Sequence, residues 1–104
     1  MSKRFKLIAR ITTDNPNAVR SILQEFIRTN HGSMQEENME FQVEAGLEGE
    51  TAKELNRTLL SSLRKVAKRT RLRAQWQHGN EVEHFFDYVL SWTLNIKWYK
   101  PASR

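Results

Sequence analysis

The chain of 104 residues contains no cysteine. That absence removes disulfide frameworks and thiolate metal sites, and it suits a reducing compartment. Proline and glycine are scarce, with two and four residues, which excludes collagen-like and low-complexity chains. No apolar run approaches the ~20 residues that a membrane helix requires, so no membrane partner is expected. The opening MSKRFKLIARITTD lacks the apolar core and small-residue cleavage site of a signal peptide, and the expected address is the cytoplasm. There is no glycine-rich phosphate loop, and no serine has a recognisable base beside it.

What is present is a globular composition. Hydrophobic residues make up 38%, with three Trp, two Tyr and five Phe. The length fits one domain with its own core, read as residues 1–100 with a tail over 101–104. Net charge is +5, and it is unevenly distributed. Lys3, Arg4, Lys6 and Arg10 make the start basic, whereas residues 36–54 carry seven glutamates against Lys53 alone. Residues 57–73 then hold seven cations and no acid. Such asymmetry fits either a polyanionic partner or two segments that neutralise each other.

Residues 5–12 alternate, with Phe5, Leu7, Ala9 and Ile11 on one face, and predict a strand. Asn15-Pro16 is a helix start. Val19, Ile22, Leu23, Phe26 and Ile27 follow at helical spacing, with Gly32 as the stop. Met39, Phe41, Val43 and Ala45 predict a second strand. Thr51-Ala52-Lys53-Glu54 is a capping box, opening a helix to about Arg69 with Leu55, Leu59, Leu63 and Val66 inward. Leu72, Ala74 and Trp76 predict a third strand, and His78-Gly79-Asn80 a turn. Residues 81–92 fit both a strand, with Val82, His84, Phe86, Tyr88, Leu90 and Trp92 on one face, and a helix. Aromatic and β-branched content and the Gly-Asn turn favour the strand.

The order β-α-β-α-β-β predicts an α+β fold, a two-layer sandwich with two helices on one face of a four-stranded sheet. A short extra strand around residues 33–37 would convert it to a ferredoxin-like variant.

Two features are candidate sites. The run Arg64, Lys65, Lys68, Arg69, Arg71 and Arg73 has the clustered cations that counterion release from nucleic acid requires. It also has a structural account: Arg71 and Arg73 facing Glu40 and Glu44 across the sheet, and the other four complementing a helix C-terminus. Recognition by base stacking on the sheet is disfavoured, because the outward positions of the first three strands include no aromatic. The second feature is the aromatic C-terminal segment, where Phe85, Trp92 and Trp98 are expected to form an exposed self-association surface.

His31 and His78 read as turn residues. Alternation separates His84 from Glu83 and Asp87, and no common metal spacing occurs. No catalytic, metal or cofactor residue is therefore assigned, and no small-molecule ligand is legible. The expected function is a small, cytosolic, non-enzymatic interaction domain that self-associates as a homo-oligomer through its aromatic C-terminal strand. The second reading is nucleic-acid binding through residues 64–73. The third is an enzyme whose site is assembled between subunits, an arrangement that leaves no local motif.

Overall fold

A computed structural model describes residues 3–90. It is α+β, with two helices against an antiparallel sheet of five strands plus a two-residue sixth. In chain order these are β1 (Lys3–Thr12), α1 (Pro16–Thr29), β2 (Ser33–Glu37), β3 (Glu40–Gly49), α2 (Ala52–Val66), β4 (Arg71–His78), β5 (Glu81–Phe86) and β6 (Val89–Leu90). The strands lie side by side in the order β2-β3-β1-β4-β5-β6. The short strand at 33–37 is therefore present, and through β4 the element order is that of a split βαβ sandwich.

The alternation of β1 sets the core. Phe5, Leu7, Ala9 and Ile11 are buried while Lys6, Ile8, Arg10 and Thr12 are exposed. Phe41 and Val43 of β3 and Leu72, Ala74 and Trp76 of β4 join them beneath the helices, which contribute Val19 and Leu23 from α1 and Leu59, Leu60 and Leu63 from α2. Asn15 caps α1 by accepting a hydrogen bond from the Ala18 amide at 3.4 Å. Thr51 caps α2 by accepting one from the Glu54 amide at 3.1 Å. Beyond α1, His31 turns left-handed at φ 53°, and Gly32 passes so close to β3 that a Cβ there would lie 2.3 Å from the Glu44 carbonyl oxygen.

The expected helix to about Arg69 stops at Val66, and Val66 is exposed rather than inward. The buried stripe of α2 instead includes Leu60 and Asn56. Asn56 is polar but satisfied: its side-chain amide donates to the Asp87 carbonyl at 2.7 Å and its oxygen accepts from the Trp76 indole N–H at 3.1 Å. Met39 is not in the second strand. It takes φ 65° beside Asn38 at φ 51° in the two-residue β2–β3 turn, so its side chain is exposed.

The largest correction concerns residues 81–92, expected as one long strand with Phe86 and Tyr88 inward. β5 ends at Phe86, Asp87-Tyr88 form a two-residue turn, and β6 folds back so that Val89 pairs with Phe86. The phase is also reversed. The short β4–β5 turn pairs His78 with Glu81, which sets Phe85 opposite Ala74 and Phe86 opposite Arg73. Ala74 points into the core, so Phe85 does too, at 4% exposure. A shift of one residue exchanges every side chain between the two faces of a strand.

Candidate nucleic-acid interface

The face away from the helices is uncovered by any described element, and the strand order decides what it displays. At one side, β2 and β3 present Glu37, Glu40, Gln42, Glu44 and Glu48. In the middle β1 presents Arg4, Lys6, Ile8 and Arg10, and β4 presents Arg71, Arg73, Gln75 and Gln77. At the other side β5 presents Val82, His84 and Phe86. One face therefore grades from acidic through basic to apolar. It is also hollowed: a depression of about 500 Å³ crosses it, lined by side chains that include Ile8, Arg10, Glu44, Arg73, His84 and Phe86.

The expected pairing of Arg71 and Arg73 with Glu40 and Glu44 does not form. β1 lies between β3 and β4, and its Arg10 takes Glu40 at 3.3 Å. Arg71 instead donates to Asp87 at 2.8 Å, and its guanidinium lies 5.4 Å from the centroid of the Phe86 ring. Arg73 lies 5.0 Å from the same centroid and, among the described residues, has no carboxylate partner. Arg73 is also directly opposite Arg10 across the β1–β4 pair. Like charges at such positions oppose folding, and the Glu40 carboxylate on Arg10 offsets part of that repulsion.

The helix-end cations divide. Arg64 is a structural residue: it donates to the Thr70 carbonyl at 2.9 Å, lies 3.4 Å from the Asp87 carboxylate, and sits 5.4 Å from the Tyr88 ring centroid. Lys65, Lys68 and Arg69 are exposed, and none forms an ion pair among the described residues. Lys65 belongs to the last turn of α2, and Lys68 and Arg69 to the loop that leads into β4. That loop is held by Thr70, whose buried hydroxyl donates to the Ala67 carbonyl at 2.7 Å and shares a hydrogen bond of 3.0 Å with the Thr13 hydroxyl. Three accessible cations are thus fixed at the end of the sheet where Arg71 begins.

Asp87 organises this corner. At φ 58° its carboxylate accepts from the Leu72 amide at 2.9 Å as well as from Arg71, and its own amide donates to the Leu72 carbonyl at 2.7 Å. The turn that aims Phe86 at the open face is therefore tied to β4 by main-chain and side-chain bonds.

The other candidates are not brought together. His31 is exposed beyond α1. His78 ends β4, with Nδ1 3.1 Å from the Arg4 carbonyl oxygen. His84 lies on the open face opposite Gln75, whereas Glu83 pairs with Trp76 on the helix side. Among the described residues no group of three His, Asp or Glu could hold a metal ion, and no helix is long and apolar enough to cross a membrane. Phe85, expected on an exposed self-association surface, is in the core because of the reversed phase. Trp92 and Trp98 lie outside the described residues. Phe86 is the site residue that sequence reasoning missed. The signal that could have found it is the length of the Gly79-Asn80 turn, which fixes the parity of β5 against Trp76.

No protein-family model matches the chain, and no curated protein or solved structure matches it either. A function therefore has to be argued from the site.

Proposed function

We propose that this protein is a non-enzymatic binding domain for nucleic acid, contacting phosphates through Lys65, Lys68 and Arg69 at the α2–β4 corner and through Arg73 and Arg10 on the adjoining sheet face. The observation that carries this reading is that Lys65, Lys68, Arg69 and Arg73 have no carboxylate partner among the described residues. Exposed, clustered cations release counterions from a phosphate backbone, and the effect needs no deep pocket. The glutamates of β2 and β3 favour a path along the β4 side of the face, where phosphate meets cations instead.

The test is affinity as a function of salt. Binding of a labelled oligonucleotide should weaken steeply between about 50 and 200 mM salt. The triple variant Lys65→Gln, Lys68→Gln, Arg69→Gln should make the slope of log K against log salt shallower by about 2. Absence of any low-salt binding would overturn the reading.

Self-association through the C-terminal segment is a second reading. It has lost Phe85, but the rim formed by β5 and β6 favours it, since Val82, Tyr88 and Val89 are exposed there, Val89 at 65%. β6 pairs on one side only among the described residues. Exposed apolar groups along a strand edge mark a contact surface.

A further inference from the structure

The open face could serve a polyanion simply as a charged wall, and any nucleic acid would then do. Its shape and its apolar side argue for something narrower. The hollow is a depression in the sheet, not a ridge, and the lining groups that face outward include the apolar Ile8 and Phe86. Val82, which points to the same side from β5, is 41% exposed, and Ile8 is 39% exposed. A double helix presents phosphates outward and hides its base faces. Against a hollowed sheet it would engage the rim cations and leave these groups wet. A single strand can lay its backbone along the cations and turn bases into the hollow.

The arrangement around Phe86 matches that second geometry. Its ring lies in a strand position facing outward, with the guanidiniums of Arg73 and Arg71 at 5.0 and 5.4 Å from its centroid. Bases stack on aromatic rings and on guanidinium planes alike. A guanidinium over an exposed ring contributes only ~0.5–1 kcal/mol, so an incoming base can share or displace it while the N–H edges of the arginine turn to phosphate. Arg10, directly opposite Arg73, supplies the second cation, with its half-exposed Glu40 ion pair at 3.3 Å open to exchange for a phosphate. Acidic groups limit the platform on its far side, where Glu44 lines the hollow.

Resting on the nucleic-acid reading above, we infer that the ligand is single-stranded, with a base stacked on the Phe86–Arg73 pair and its phosphates held by Arg10, Arg73 and the α2–β4 corner. Single-stranded RNA and single-stranded DNA share this chemistry.

Fluorescence anisotropy with labelled oligouridylate, oligothymidylate and a duplex of equal length, on the full chain at fixed low salt, separates the possibilities. The expected result is tighter binding of the single strands than of the duplex. Phe86→Leu, which keeps apolar bulk and removes the stacking face, should weaken single-strand binding about tenfold and leave duplex binding unchanged. Phe86→Tyr should restore it, which separates stacking from a loss of folding. The two single strands side by side report whether the 2′-hydroxyl is read. Equal affinity for duplex and single strand, with Phe86→Leu indifferent, would overturn this inference while leaving the basic corner standing. No binding of any of the three would overturn both. A rise in molecular mass that Phe86→Leu abolishes, with no oligonucleotide binding at any salt, would assign the face to a second copy of the chain and overturn it as well.

Discussion

Phe85 and Phe86 are neighbours with opposite duties. Phe85 is 4% exposed and lies opposite the small Ala74 within the core. Phe86 touches the guanidiniums of Arg71 and Arg73 on the open face. Removing a buried phenyl group leaves a cavity that the surroundings fill incompletely, and typically costs 3–5 kcal/mol. Removing a half-exposed ring forfeits two weak cation–π contacts, about 1 kcal/mol together. Urea unfolding of Phe85→Ala and Phe86→Ala should therefore show a midpoint drop several times larger for the first. Similar drops, or the reverse order, would contradict the phase of β5. The sequence could not reveal that phase by pattern alone, because adjacent aromatics satisfy either parity. Asp87 is a turn former that tolerates the left-handed region, but with Tyr88 after it and no glycine or proline beside it the signal is weak within an aromatic run. A left-handed aspartate is tolerated here because Leu72, Arg71 and Arg64 converge on its carboxylate.

At the scale of elements, β2 is the weakly specified member. Its residues, Ser-Met-Gln-Glu-Glu, offer only Met34 to the core, which is why periodicity made it optional. What ties it to α1 is Arg20. Nε and Nη2 of that side chain donate to the two oxygens of Glu36 at 2.7 and 2.6 Å, and Nη1 donates to Asn17 at 2.7 Å. The hydrogen bond from Arg20, aided by its charge, lowers the Glu36 carboxyl below the ordinary carboxylate range. A depressed acid contributes stability that is present above its unfolded pKa, about 4.3, and lost as pH falls through the folded value. Acidification below pH ~4 should consequently loosen β2 before the central strands. Amide exchange, corrected for intrinsic rates, would show this as a selective loss of protection over 33–37. Glu36→Gln should remove the pH step. The longer elements were legible because their burial repeats cleanly: β1, β3 and β4 at every second residue, α1 and α2 along one stripe. Val66 fell outside because the helix ended a turn before its cationic run did.

The arrangement of the whole molecule is the part that no local pattern contains. Arg71 and Arg73 are separated from Glu40 and Glu44 by β1, so opposite charges that look complementary along the chain end up on different halves of one face. Sheet order depends on which strands meet after two crossovers, information spread over the entire chain. The same order leaves β6 at a rim with Tyr88 and Val89 exposed. If that rim joins a second copy, sedimentation equilibrium should show mass rising with protein concentration. Val89→Lys should suppress it, since charged residues on edges discourage strand pairing. A monomer at every concentration would remove the second reading and leave the open face untouched.

The position of β1 also bears on how the protein is made. Leu7 pairs with Ala45 on one side and with Trp76 on the other, and both partners are synthesised after it. The strand at the centre of the sheet therefore waits, with Leu7 and Ile11 uncovered, until β3 has left the ribosome, and its second edge waits for β4. Pairings between distant segments form slowly because loop closure precedes the contacts that reward it. During that interval an unpaired apolar strand is open to other chains. Lys6 and Arg10, which alternate with those residues, keep the waiting strand charged. The cations that line the finished face would thus already serve the unfinished chain, as guards against pairing with the wrong strand.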